Sequence, residues 1–114
     1  MIIVVARLLF ETTEQRDAAA SRSAPIQQAT RDQEPGCHAY CFAPDPCDAL
    51  AIQVYELWED SDSLAAHFNH PNYQAMVELL GEIGILESIN RAHLTERNEP
   101  VYGPNGEKRD AFFS

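Results

Sequence analysis

Hydrophobic residues along the chain follow two rhythms, recurring every second residue in some stretches and every third or fourth in others. The apolar run from Ile2 to Phe10 predicts a first strand buried on both faces. Thr12 followed by Gln15 is a capping-box pair, and a helix is expected from Glu14 to about Gln33. Its inward positions, Ala19, Ser23, Ile26 and Thr30, recur at helical spacing. Three of them are small, which predicts a gap between helix and sheet. Pro25 falls inside this helix and is expected to kink or split it.

Glu34-Pro35-Gly36 ends the helix, and a second strand follows from Cys37 to Phe42. Simple alternation would put Cys37, Ala39 and Cys41 on one face and His38, Tyr40 and Phe42 on the other. The Pro- and Asp-rich stretch Ala43 to Asp48 is a turn, and Ala49 to Trp58 is the third strand of a hairpin. Glu59-Asp60-Ser61-Asp62 supplies a cap and an acidic first turn for a helix reaching about Asn69. Pro71 suits the first position of another helix, capped by Asn69 or His70. Tyr73, Met76, Val77 and Leu80 define its buried face, and Gly81 and Gly84 end it. A last strand runs from Leu86 to Arg97. The order is β-α-β-β-α-β with the second helix broken in two, an α+β ferredoxin-like domain with a four-stranded antiparallel sheet. Its helices cover one face of the sheet, and a second copy would cover the other.

The 114 residues fit one domain, expected over residues 1–97. Residues 98–114 hold Pro100, Gly103, Pro104 and Gly106 beside Val101, Tyr102, Phe112 and Phe113. They read either as a disordered tail or as an arm over the partner or the pocket mouth. A net charge of −10, with a single lysine, argues against nucleic acid and against an anionic membrane surface. The N-terminus has no basic leader or Ala-x-Ala cleavage site, and no stretch reaches the roughly 20 apolar residues of a span. Cys37 and Cys41, roughly 13 Å apart on one strand, are too distant for a disulfide. An unpaired set of three cysteines fits a reducing cytoplasm.

The stretch Tyr55-Glu56-Leu57-Trp58-Glu59-Asp60, with Leu64, His67 and Pro71-Asn72-Tyr73, resembles the antibiotic-biosynthesis monooxygenase family. Arg31 to Cys37 and Tyr40 look like that family's helix-to-strand junction. The resemblance implies a homodimeric α+β barrel and includes cofactor-independent quinol and anthrone oxygenases, so no cofactor is expected. The family also contains isomerases, and its haem-degrading branch carries an Asn on the first strand, then a Trp and a His. Here Ile2 to Phe10 has no Asn, and His67 and Val77 stand at the Trp and His places, which disfavours haem degradation. Asn72 stands where relatives carry a second His. If that His shapes substrate choice, the departure points to a different ligand.

Cofactor-free oxygenation needs a base to ionise an aromatic substrate and a site that excludes water. His67 is the expected base, although an N–H tying helix to sheet is the competing role. Trp58 is expected as a pocket wall, or simply as a core aromatic, with Glu56 holding a neighbouring polar group. Tyr73 and Asn72 would orient the substrate, and Tyr40 would line the pocket. Arg91 on the last strand would stabilise an oxyanion, or else pair with a surface carboxylate. His67 and His70 lack a third metal ligand at a supporting spacing, and Cys37-His38-x-x-Cys41 diverges across the strand, so no metal is expected. The expected activity is therefore a monooxygenase, an oxidoreductase acting on a small quinol or polyphenol with O₂. An isomerase or lyase using the same pocket, and a non-catalytic ligand binder, are the alternatives.

Overall fold

The computed structural model describes residues 1–114 and orders the elements as β1 (Ile2–Leu9), α1 (Thr13–Gln33), β2 (Cys37–Pro44), β3 (Ala51–Trp58), α2 (Ser61–Phe68), α3 (Pro71–Ile83) and β4 (Glu87–Leu94). The four strands pair antiparallel in the order β2-β3-β1-β4, the ferredoxin-like arrangement. The helices pack over one face of this sheet. Ile52, Val54 and Trp58 of β3 meet Ala19 of α1 and Met76 and Leu80 of α3 in the core there.

α1 begins as expected, with Thr12 and Gln15 capping each other's backbone. It is one continuous helix through Pro25, not the two segments that were one of the two expected outcomes there. Pro25 and Ser21 are both exposed, so the carbonyl that the missing N–H releases can turn to water. Ala19, Ser23 and Thr30 are buried as the spacing predicts, joined by Arg16 and Gln27. Gln27 accepts from the Phe42 N–H at 2.9 Å and donates to the Phe42 carbonyl at 3.1 Å. It thereby satisfies the free edge of β2 as a neighbouring strand would. Arg16 reaches the carbonyls of Asp48 at 3.0 Å and Ala51 at 3.2 Å, tying the helix to the β2–β3 loop.

Three other expectations need correction. β1 is buried on one side only, because its second face, with Val5 exposed, has no covering layer. On α3, Val77 is exposed and Gly81 lies within the helix, which ends at Gly84 in a left-handed conformation. A bulge between Cys37 and Ala39 breaks the alternation of β2. Cys37 therefore sits opposite Trp58 on the helix side, while Cys41 sits opposite Tyr55 on the open side. Beyond β4, residues 98–114 turn back through a bridge between Tyr102 and Lys108. Glu99 holds that tail, taking Arg109 at 2.7 Å and the Phe113 N–H at 3.1 Å. Phe113 lies beside Leu94 and Arg97, by the open face.

Gly36 makes the turn from α1 into β2 at φ +83°, and a Cβ there would lie 2.2 Å from Ser63 Oγ in the first turn of α2. Both the conformation and the close approach require glycine. Gly36→Ala should destabilise the fold by about 2–3 kcal/mol. A thermal melt should show the midpoint falling by roughly 8–16 °C. An unchanged midpoint would contradict this account of the turn.

Candidate active site

α2 is two turns long and buries one side chain, His67. Asp60 caps its start by accepting from the Ser63 N–H at 2.8 Å, and Gly36 lets that first turn rest on the end of α1. The two elements are thus fixed to each other, and the consequence appears one helix length away. His67 Nδ1 lies 2.7 Å from Glu34 Oε1, with the two side chains only 3% and 4% exposed. The second Glu34 oxygen accepts from Asn72 Nδ2 at 3.2 Å. Asn72 is held in the first turn of α3 behind the His70 cap and Pro71.

With Nδ1–H donating to the carboxylate, Nε2 of His67 is left as an acceptor. It has no protein hydrogen-bond partner and is not sealed from solvent. Rings enclose the imidazole: Trp58 at 4.8 Å between centroids, Tyr40 at 5.4 Å and Tyr73 at 5.4 Å. Glu56 lies nearby on β3, where its Oε1 accepts from the Trp58 Nε1–H at 2.9 Å. Burial pushes the Glu56 carboxyl up from its ordinary value of 4.5, against the pull of the Trp58 hydrogen bond and His67. Burial likewise pushes the Tyr40 hydroxyl well up, with Glu56 and Glu34 adding to it, so Tyr40 remains a proton donor. The Cys37 thiol is raised by burial first and then by Glu34 and Glu56, against the pull of Arg31, which favours its protonated form.

These groups border a cavity of about 380 Å³ between the sheet and the helices. Its floor is Val4, Ala6, Leu8 and Val54, and Leu64, Met76 and Leu80 form the helical side. No residue of α1 lines it, so the gap expected over the small residues Ala19, Ser23 and Thr30 is not this cavity, and those side chains are buried. His67, Tyr73, Glu56 and Tyr40 all line it. Three expected residues do not. Trp58 is fully buried behind the wall, and it acts on the cavity through Glu56 rather than by lining it. Asn72 is turned toward Glu34 and Gln33. Arg91 pairs across from Val5 on the opposite face of the sheet, so within one chain it cannot reach the cavity. The tail is likewise absent from the lining, so it does not cover the mouth.

The model of the antibiotic biosynthesis monooxygenase family matches residues 1–79, a span that includes Glu34, Tyr40, Glu56, His67 and Tyr73. The chain belongs to this family. Solved structures agree in fold with its other members. One from Deinococcus radiodurans, described as a candidate antibiotic biosynthesis monooxygenase, superposes with a TM-score of 0.79 at 21% identity, covering 90% of this chain and 100% of that one. Rv0793 from Mycobacterium tuberculosis gives 0.70 at 21% identity over 86% and 96%. SnoaB, a cofactor-independent oxygenase from Streptomyces nogalater, gives 0.64 at 13% identity over 87% and 96%. No curated protein matches the sequence.

Glu34, Ser88 and Asn90 belong to the site and were not singled out in the sequence. Glu34 did carry a signal. An acidic residue at a helix C-terminus opposes the macrodipole, so its presence there asks for another partner. Ser88 and Asn90 gave none, because alternating polar residues on an edge strand usually only face water.

The raised Glu56 carboxyl gives a pH signature. Between its ordinary value and its folded value the native chain holds a proton that the unfolded chain has lost, so stability falls as pH rises through that window. Glu56→Gln is neutral and escapes this loss. Its stability relative to the parent should therefore improve as pH rises above the ordinary carboxyl value of 4.5 in chemical denaturation. A pH-independent difference would contradict the shift.

Proposed function

We propose that this family member is a cofactor-independent monooxygenase that oxidises a small quinol or polyphenolic aromatic with O₂. The observation that carries the reading is His67, buried, oriented by Glu34 at 2.7 Å, and presenting Nε2 to an apolar cavity. A phenolic hydroxyl placed against Nε2 gives up its proton, and the Glu34 carboxylate stabilises the imidazolium that forms. The electron-rich anion then reduces O₂, and a carbon–oxygen bond forms at the ring. The O–O bond breaks, and the departing oxygen leaves as water with a proton available from His67. A quinol and one O₂ give a hydroxyquinone and one water, so the balance needs no further reductant. Tyr40 presents a donor to the developing oxyanion, Glu56 lines the inner end of the cavity, and Tyr73 orients the ring from the helical side. Apolar walls keep bulk water from the anion.

The reading includes a homodimer in the cytoplasm, paired through the open face of the sheet into an α+β barrel. Exposed Val5, Tyr55 and Ile89 on that face support it, and Arg91 would then lie at the interface. The unpaired state of Cys37, Cys41 and Cys47 suits a reducing compartment. Light scattering should return a mass twice the 12.8 kDa of one chain, and a single-chain mass would overturn the dimer.

An oxygen electrode tests the reaction itself. O₂ uptake should accompany quinol loss, and His67→Ala should lower kcat by about 10²–10⁴-fold. Turnover that continues unchanged under nitrogen would instead favour an isomerase using the same base.

A further inference from the structure

Thirteen of the seventeen residues lining the cavity are hydrophobic, and the remaining four fall into two separate pairs. Glu56 and His67 form the buried inner pair. Ser88 and Asn90 form the outer pair, both exposed on β4 where the cavity opens between that strand and α3. They flank Leu8 and Ala6 of β1 in the sheet register, so two polar side chains continue an otherwise apolar floor. Asn90 Nδ2 donates to Ser88 Oγ at 3.3 Å. That bond leaves the Ser88 O–H as a donor, with the Asn90 amide oxygen and second N–H also free.

We infer that Ser88 and Asn90 form a second polar subsite, which binds an oxygen substituent of the aromatic ligand remote from the group held at His67 and Glu56. The inference rests on the aromatic-ligand reading above and specifies what that ligand carries. The register sets the scale. Glu56 pairs with Val4, whereas Asn90 pairs with Ala6, so the two lie two strands apart and two residues along. At sheet spacings this is roughly 12 Å between backbones. Hydrogen bonds of about 3 Å lying wholly along that line at each end leave a minimum of roughly 6 Å between the two ligand oxygens, and bonds inclined to it leave more. A single-ring quinol carries both oxygens across one six-membered ring and at best meets the lower limit of that span. A fused two-ring compound with oxygens at opposite ends fills it, with Ala6, Leu8 and Val54 beneath the rings. The outer subsite accepts either a phenol or a carbonyl, because it offers both donors and an acceptor. It favours neither charge sign, since Ser88 and Asn90 are both neutral.

Calorimetric titration of the whole chain with 2-naphthol and with 2,6-dihydroxynaphthalene tests this without requiring turnover. The dihydroxy compound should bind roughly three- to tenfold more tightly. In the S88A/N90A double variant the two probes should bind equally, with 2-naphthol unchanged from the parent. Both positions are exposed, and a thermal melt of the variant checks that it folds. Equal binding of both probes to the parent chain, or a preference that survives in the variant, overturns the subsite. Failure of both probes to bind overturns the subsite and the aromatic-ligand reading together. A preference that follows Ser88 and Asn90 in a chain that consumes no O₂ leaves the subsite standing and removes only the oxygenase.

Discussion

The hydrogen bond between Glu34 and His67 is the constraint around which the helical layer is arranged. A carboxylate buried to this degree without a partner costs several kcal/mol, and an imidazole in the same place gains little by itself. The two residues come from elements that are distant in sequence, so the chain must deliver both to one point. α1 delivers Glu34 by ending there in an extended conformation. Gly36 turns the chain sharply enough for α2 to start against it, and Asp60 fixes that start. Asn72, from α3, closes the remaining oxygen of the carboxylate. Three helices therefore meet at a single carboxyl group.

The fold was legible because it rests on rhythm. Strand alternation, helical spacing and caps located every element to within a few residues, since those signals come from burial of one face. The errors share a different origin. The bulge at Cys37 inverted a face that simple alternation had assigned, and nothing in the residues around it marks an extra position. Gln27 and Arg16 are polar, yet their amide and guanidinium groups are buried because backbone groups of β2 and its loop await them. A sequence shows which side chains dislike water. It does not show which backbone atoms will be left without partners.

The candidate site divides in the same way. His67, Glu56, Tyr40 and Tyr73 were identified by residue type and order, and the fold brings all four to one cavity. Trp58 was placed in the right neighbourhood with the wrong duty. Its indole is wholly buried, and its N–H restrains one oxygen of Glu56. Arg91 lies away from the cavity within one chain, because parity along β4 sends it to the open face. The same parity brings Ser88 and Asn90 inward. One residue of register separates a cavity residue from one on the open face.

Trp58 has a practical consequence as well. It is the chain's one tryptophan, shielded from solvent, with its ring 4.8 Å from that of His67 and its N–H committed to Glu56. Indole emission from this molecule therefore arises from one chromophore in one defined setting. A proton gained by the imidazole, a change in the carboxyl, or an aromatic guest in the cavity would each alter the field around it. The protein carries its own optical gauge, and that gauge is mounted against His67 and Glu56.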